Sequence, residues 1–520
     1  MNWHTMKILV LTEACLRLRR VSTLVTLFVV AALGWWIFAD QTSGFAFIVV
    51  QDVRVLNTSS TIALGSVALF ALIFGLAGFF LTRGRIDEDM RCGTASVIAS
   101  STISNSLFLN CRWLGGIGYL IVMAGVFMVT MMVCHLFRGI GPIQPWVYIQ
   151  TYCIILLPVI FFSVSCAVLF DSFAPLMGKV GDVLFFMLWA AQFSVMGLID
   201  DHAGVRFSPL FLIDFSGVVM TVKSLFEHFH TTDISLGYAS FNQALPGITL
   251  TDELWTLPML LMRLASMAIA SAVLLPAFLI FHRYSSDKVK VSQSGQRRLP
   301  VAALNQWLRP LSKITQPLFG LSARLPGVGG AMLADVALTL STSPIAILAL
   351  AAVLVASVAV KIALLPSVLM GAVAVWGITI SDISTRDFIS GCEQMTGALA
   401  GGISQRYLRQ SAAAFFLGLL FVGIAGLRLI SLHPVQVVAM LVGLASLSAL
   451  ASLAGRTART PRLYLALFLF WIYIAVQMPG EAVMDIVGFN GAANITSIII
   501  QLSIAIMALI CGYTYNRWAR

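Results

Sequence analysis

Charge is what this sequence lacks most. Of 520 residues only 10% are Asp, Glu, Lys or Arg, whereas soluble domains carry about a quarter. Apolar residues make up 59% and the mean hydropathy is +0.94, more than a water-soluble core can hide, which excludes an ordinary soluble enzyme or binding module. A phosphate loop of the form GxxxxGK followed by Ser or Thr is also missing, so these residues do not cradle nucleotide phosphates on their own. Acids are nearly absent from the apolar runs, where an ion-coupled carrier places one in mid-membrane. The ionisable residues there, chiefly Arg263, Lys361 and Arg428, fall near expected outer ends where long side chains snorkel. The eight cysteines (Cys15, Cys92, Cys111, Cys134, Cys153, Cys166, Cys392 and Cys511) form neither a disulfide framework nor a metal-ligand spacing and read as buried small hydrophobes. No basic patch is interleaved with aromatics outside the apolar runs, so the net charge of +10 points to basic loops along a membrane rather than to nucleic acid.

What is present is a series of apolar runs long enough to cross about 30 Å of hydrocarbon as helices. They are expected near 21–39, 61–82, 113–134, 149–170, 182–199, 263–281, 344–363, 365–380, 411–431, 435–453, 463–478 and 495–515. The first follows a basic stretch without a small-residue cleavage site, so it is expected to stay as an anchor rather than leave as a signal peptide. With the N-terminus inside, the inside segments hold 25 of the 32 Lys and Arg residues, as the positive-inside rule requires. The expected fold is therefore an all-α polytopic membrane protein of about twelve spans in two six-helix repeats, both termini cytoplasmic, in a bacterial inner membrane. Residues 1–282 form the first half, 334–520 the second, and 283–333 a basic linker in which Trp307, Leu308, Leu311 and Leu318 sit among cations as amphipathic helix.

The halves begin alike: TEACLRLRRVSTLVTLFVV from Thr12 follows the same plan as ADVALTLSTSPIAILALAA from Ala334. After the second span of each comes a polar segment, RIDEDMRCGTASVIASSTISNSLFLNCRW from Arg85 and DISTRDFISGCEQMTGALAGGISQRYLRQS from Asp382. Both run from acids to a glycine (Gly93, Gly391), to Ile-Ser (Ile103-Ser104, Ile403-Ser404), and then to a cation. In these features the chain resembles the type-two ABC exporter permease family, whose members carry an acid, Gly-Thr, a small-residue stretch, Ile-Ser and a basic residue between spans two and three. The first half matches with Glu88, Gly93-Thr94, Ser101 to Ser104 and Arg112. The second departs, with Cys392 after Gly391 and two extra residues before Ile403.

The resemblance implies an amphipathic elbow helix at the cytoplasmic interface and contacts to separate ATP-binding subunits, two copies, which would supply ATP and Mg while this chain binds no cofactor. The coupling residues it implies are Asp87, Glu88, Asp89, Gly93 and Thr94 in the first half and Asp387, Gly391 and Glu393 in the second. Asp171 and Arg456, in the loops between spans four and five, are further candidates. Taken by themselves these charges also fit ordinary solvated loops. A major-facilitator-like carrier shares the six-plus-six plan, but its glycine- and aspartate-rich signature is not visible between Phe80 and Arg91. The long outer loop, about Asp201 to Trp255, is expected to contain helix of its own. Its Glu227, His228, His230 and Asp233 are a weak metal candidate, and His228 with Asp233 is the sole grouping that suits a membrane-embedded transferase.

Overall fold

A backbone in hydrocarbon has no water to bond, so the apolar runs close their hydrogen bonds internally as helices. The computed structural model describes residues 3–38, 42, 44–194, 209–251, 255–281, 307–398 and 402–518. They belong to two units, Met1–Ser294 and Gly295–Arg520. In the first unit the helices are α1 Trp3–Leu18, α2 Val21–Ile37, α3 Ser59–Thr82, α4 Arg85–Arg91, α5 Thr94–Ser100, α6 Asn105–Arg138, α7 Pro145–Ser172, α8 Lys179–Phe193, α9 Val218–Phe229, α10 Leu257–Ala272 and α11 Leu275–Ile280. In the second they are α12 Gln316–Arg324, α13 Gly327–Thr342, α14 Pro344–Ala359, α15 Leu365–Ile380, α16 Arg386–Ile389, α17 Glu393–Gly397, α18 Gly402–Leu429, α19 Pro434–Ala458, α20 Arg462–Gln477 and α21 Ile495–Trp518.

Among the described residues eight helices are long and apolar enough to cross a membrane, or ten when two bent pairs each count as one span. The chain is thus a multi-pass, almost wholly helical membrane protein. The other two expected spans correspond to α8 and α20, with 15 and 16 residues, short of the roughly 20 that a full crossing takes. Residues 195–199 of the expected fifth span and 283–306 of the expected linker lie outside the described residues.

The bent pairs open the two halves. In the first, Met6–Leu18 meets Ser22–Ile37 at 71°; in the second, Gly327–Thr342 meets Pro344–Ala359 at 100°. The causes differ. Pro344 cannot continue the ladder of α13 and sits at the first turn of α14. At the other bend Arg20 is extended, and the Thr23 hydroxyl donates to the Arg17 carbonyl at 2.6 Å, covering an orphan acceptor at the end of α1.

Two spans start eight or nine residues earlier than expected, at 105 rather than 113 and at 402 rather than 411. α6 begins at Asn105, where the Ser104 hydroxyl accepts from Leu107 N–H at 3.3 Å as an N-cap, and α18 begins at Gly402. Arg112, Arg406 and Arg409 therefore ride on membrane-length helices rather than in a loop.

In the first unit α3 packs along α7 and α6. Phe70 stacks on Phe127 at 4.0 Å and Phe79 on Phe185 at 3.7 Å between ring centres, and the Ser163 hydroxyl donates to the Gly75 carbonyl at 2.8 Å. In the second unit α19 lies along α21, with Ser446 bonded to Gln501 at 3.1 Å and buried Trp376 donating to the Ala414 carbonyl at 3.0 Å.

One feature went unexpected: a three-stranded antiparallel sheet in the order β2, β1, β3, made of β1 Phe45–Val50, β2 Val53–Arg54 and β3 Ile234–Ser240. The hairpin turns through Gln51 and Asp52, both with positive φ, as a two-residue turn requires. The long outer loop supplies β3 together with α9, the helix expected of it. Beneath it Arg263 does not snorkel. It is buried, with N–H groups donating to the carbonyls of Ile154 at 3.1 Å, Ile155 at 3.1 Å and Phe215 at 2.8 Å; Pro158 inside α7 has no N–H, so the Ile154 carbonyl lacks its helical donor and takes one from Arg263 instead. Arg428 likewise donates to the Val360 carbonyl at 2.9 Å, at the end of α14. The cysteines divide as well: Cys111, Cys134 and Cys166 are buried, whereas Cys15, Cys92, Cys153 and Cys511 are exposed and Cys392 is half-buried, all unpaired with one another.

Candidate functional site

At one end of the first unit the chain leaves α3 through Arg83 and Gly84. Gly84 adopts φ +90°, a left-handed turn that an L side chain resists. The turn aims the N-terminus of α4 at the end of α7, where the Asp171 carboxylate accepts from Gly84 N–H at 2.7 Å and Arg85 N–H at 3.1 Å. A carboxylate there satisfies orphan donors and meets the positive end of the helix dipole. Arg83, its side chain wholly buried, lies 3.6 Å from Asp171 and is paired with Asp182 on α8. It also donates to the Gly178 carbonyl at 3.3 Å. One guanidinium thus ties α3, α7 and α8 together.

Helix α1 joins the same cluster. Glu13 accepts from Arg17 at 3.2 Å, one turn along α1, and from Arg85 of α4 at 3.0 Å. α1 comes close because Gly115 of α6 has no side chain: a Cβ there would sit 2.7 Å from Glu13 Cγ. Glu88 bridges Arg85 at 2.7 Å and Arg20, at the bend, at 2.6 Å. Asp89 is buried and paired with Arg112 of α6. Beyond these ties the segment turns outward through Gly93, φ +73°, into α5, where Gly93, Thr94 and Val97 are exposed, Val97 at 70%.

The second unit repeats the plan with other groups. Asp335 of α13 pairs with Arg409 of α18 at 2.7 Å, and Arg386 donates to Thr339 of α13 at 3.2 Å. Asp387 lies 3.6 Å from Arg406 and accepts from Thr396 at 3.3 Å and Gln410 at 3.4 Å. Glu393 lies 3.6 Å from Arg406 and is paired with Arg456 at the end of α19. Burial pushes the Glu393 carboxyl up, but Arg456, with Arg459 and Arg406, outweighs it and holds the group below the usual carboxylate range. The tip turns through Gly391, φ +71°, with Ile389 at 51% and Met395 at 75% exposed.

The two segments correspond residue by residue at one position. Asp89 lies four residues before the left-handed Gly93, and Asp387 four before Gly391; each takes a side chain 23 residues further on, Arg112 and Gln410 respectively.

Of the residues expected from the sequence, Glu88, Asp89, Asp171, Asp387, Glu393 and Arg456 therefore meet cations or anions of their own half, Asp87 is half-buried on α4, and Gly93, Thr94 and Gly391 form the exposed tips. The partners that sequence reasoning did not single out are Glu13, Arg17, Arg20, Arg83, Asp335, Arg406 and Arg409. Two signals pointed to them: the i,i+4 spacing of Glu13 with Arg17, and an arginine placed directly after the apolar run of α3.

At the opposite end, His228 Nε2 lies 3.1 Å from the Thr251 hydroxyl and His230 ends α9 with φ +53°. Among the described residues no group of three or more His, Cys, Asp and Glu converges as metal ligands. Comparison with protein-family models, curated proteins and solved structures finds no match to this chain.

Proposed function

We propose that this chain is the membrane subunit of an ATP-driven exporter of the type-two ABC permease kind, with two six-span halves in tandem and both termini cytoplasmic in a bacterial inner membrane. It moves a hydrophobic or amphipathic substrate outward and depends on separate ATP-binding subunits, two copies, for hydrolysis. The observation that carries the reading is the pair of tips, Gly93 to Val97 and Ile389 to Met395. Each is exposed at its outer face and tied at its base to the helix that opens its half and to the spans: by ion pairs to α1 and α6 in the first half, and by a hydrogen bond to α13 with ion pairs to α18 and α19 in the second. A tip built in this way passes a push from a partner to several helices at once, which a solvated loop does not. The absence of a phosphate loop in the sequence supports a partner as the energy source.

In this reading Glu88 is a positioning residue. Its carboxylate faces Arg20 and Arg85, so the partner meets the neutral tip beside it. The test is co-purification of the tagged full chain from its native membrane. An ATPase is recovered with the wild type and lost with Val97→Asp and Met395→Asp together, while insertion and monodispersity are kept. Recovery of no ATPase from wild-type membranes, or export that persists without nucleotide, overturns the proposal.

A further inference from the structure

Among the described residues the segment entering the second half is left largely uncovered. The 3-10 helix Arg309–Thr315 and α12 pack on α13, yet leave Trp307 80%, Ile314 61%, Leu321 48% and Leu325 46% exposed. Exposed apolar groups gathered on one short segment mark a surface that something covers. The charges say what. From Arg309 to Ala334 there is no acidic residue, and the cations are Arg309, Lys313 and Arg324. Lys313 and Arg324 are exposed, and each adjoins an exposed apolar side chain, Ile314 and Leu325. A long cation beside exposed apolar surface buries its methylenes and holds its charge at the level of headgroups.

The orientation agrees. α13 meets the apolar helix α14 at 100°, so if α14 stands across the bilayer, α13 and the segment packed on it run along its surface. An interfacial tryptophan, aliphatic groups on the same segment and charge of one sign are the elements of a membrane-surface anchor, and the positive sign selects an anionic surface.

We infer that Trp307 to Leu325 is a docking surface for anionic phospholipid headgroups and fixes the start of the second half to the bilayer. This goes beyond the exporter reading and stands without it, since it requires membrane insertion alone.

The test is backbone hydrogen exchange of the full-length chain in nanodiscs of phosphatidylcholine, with and without phosphatidylglycerol. Each cation near an anionic surface is worth about fivefold in partitioning, so the two exposed ones give on the order of 25-fold, and exchange across 307–325 is expected to slow by about tenfold or more when the anionic lipid is present. Lys313→Gln with Arg324→Gln, or high salt, is expected to remove most of that protection while α18 and α19 keep theirs. Equal exchange in the two lipids overturns the proposal. So does protection in detergent without lipid, which assigns the cover to protein, and so does anionic-lipid protection that the double variant and salt leave unchanged.

Discussion

The last turn of the fourth long helix in each half, α7 and α19, is tied to the segment after the second span, but with the charges exchanged. In the first half the helix brings the carboxylate, Asp171, to Arg83 and to the backbone of α4; in the second it brings the guanidinium, Arg456, to Glu393 on α17. What recurs is the tie between two elements, and the chemistry making it is interchangeable. Depth is not interchangeable. The Arg83 side chain is 0% exposed with partners at 8% and 2%, whereas Arg456 and Glu393 are 13% and 23% exposed. The first tie is part of a core and the second lies near a surface, where water takes part of any loss.

The largest expected effect tests that difference. Arg83→Met takes from both Asp171 and Asp182 the buried cation they share, and a broken buried pair costs about 3–5 kcal/mol. Arg456→Met strips one charge-assisted partner from Glu393, which keeps Arg406, and is expected to cost about 1.5–3 kcal/mol. Thermal unfolding of the purified full chain in one detergent measures both. Equal losses would mean that burial does not separate the two ties.

Next come the tips. Gly93 and Gly391 share a left-handed φ, and a Cβ added at either would meet nothing within 4 Å, so Gly93→Ala and Gly391→Ala carry a backbone cost of about 1–2 kcal/mol each and no steric clash. The same measurement should find the two nearly equal, in contrast to the arginine variants. A large excess at one tip would show that the halves differ there as well. Smaller is Glu88→Ala, whose carboxylate is a third exposed. It is expected to cost about 1 kcal/mol or less, and co-purification of the ATPase should weaken without being lost; wild-type recovery would remove Glu88 from the positioning role.

The apolar runs made the spans legible, because their length is dictated by the thickness of hydrocarbon rather than by contacts. The bend at Pro344 could be read as well, since proline excludes helix continuation. Where α6 and α18 begin could not, because Ser104, Arg112, Arg406 and Arg409 are polar and look like loop until their partners on other helices are known. The sheet was missed for a related reason: FAFIVV at 45–50 has strand composition, but its partner β3 lies 184 residues on. The acids at 87–89, 387 and 393 read from the sequence as a charge run facing a partner or water, and their ties to arginines of the same half could not be read there. A charge run of this kind points to water by default, and here arginines on later helices, Arg112, Arg406 and Arg456, hold Asp89, Asp387 and Glu393 against the protein.

The smallest effect isolates the carboxylate limb of the second tie. Because Arg456 and its neighbours hold Glu393 below the usual range, the folded state binds a proton there less readily than the unfolded chain. The group therefore contributes stability that is fully present above the unfolded carboxyl value, near 4.3 for glutamate, and is lost as pH falls through the lower folded value. Many other carboxylates titrate in the same acid range, so the curve to read is the difference between wild type and Glu393→Gln. That difference in unfolding midpoint should stay constant from neutral pH down to about 5 and then shrink toward zero on further acidification, as protonation makes the wild-type side chain resemble the amide. A difference that persists undiminished into acid would mean that Glu393 acts through packing or neutral hydrogen bonds. The exchange of charges between the halves would then be a matter of shape, with no electrostatic content in the second tie.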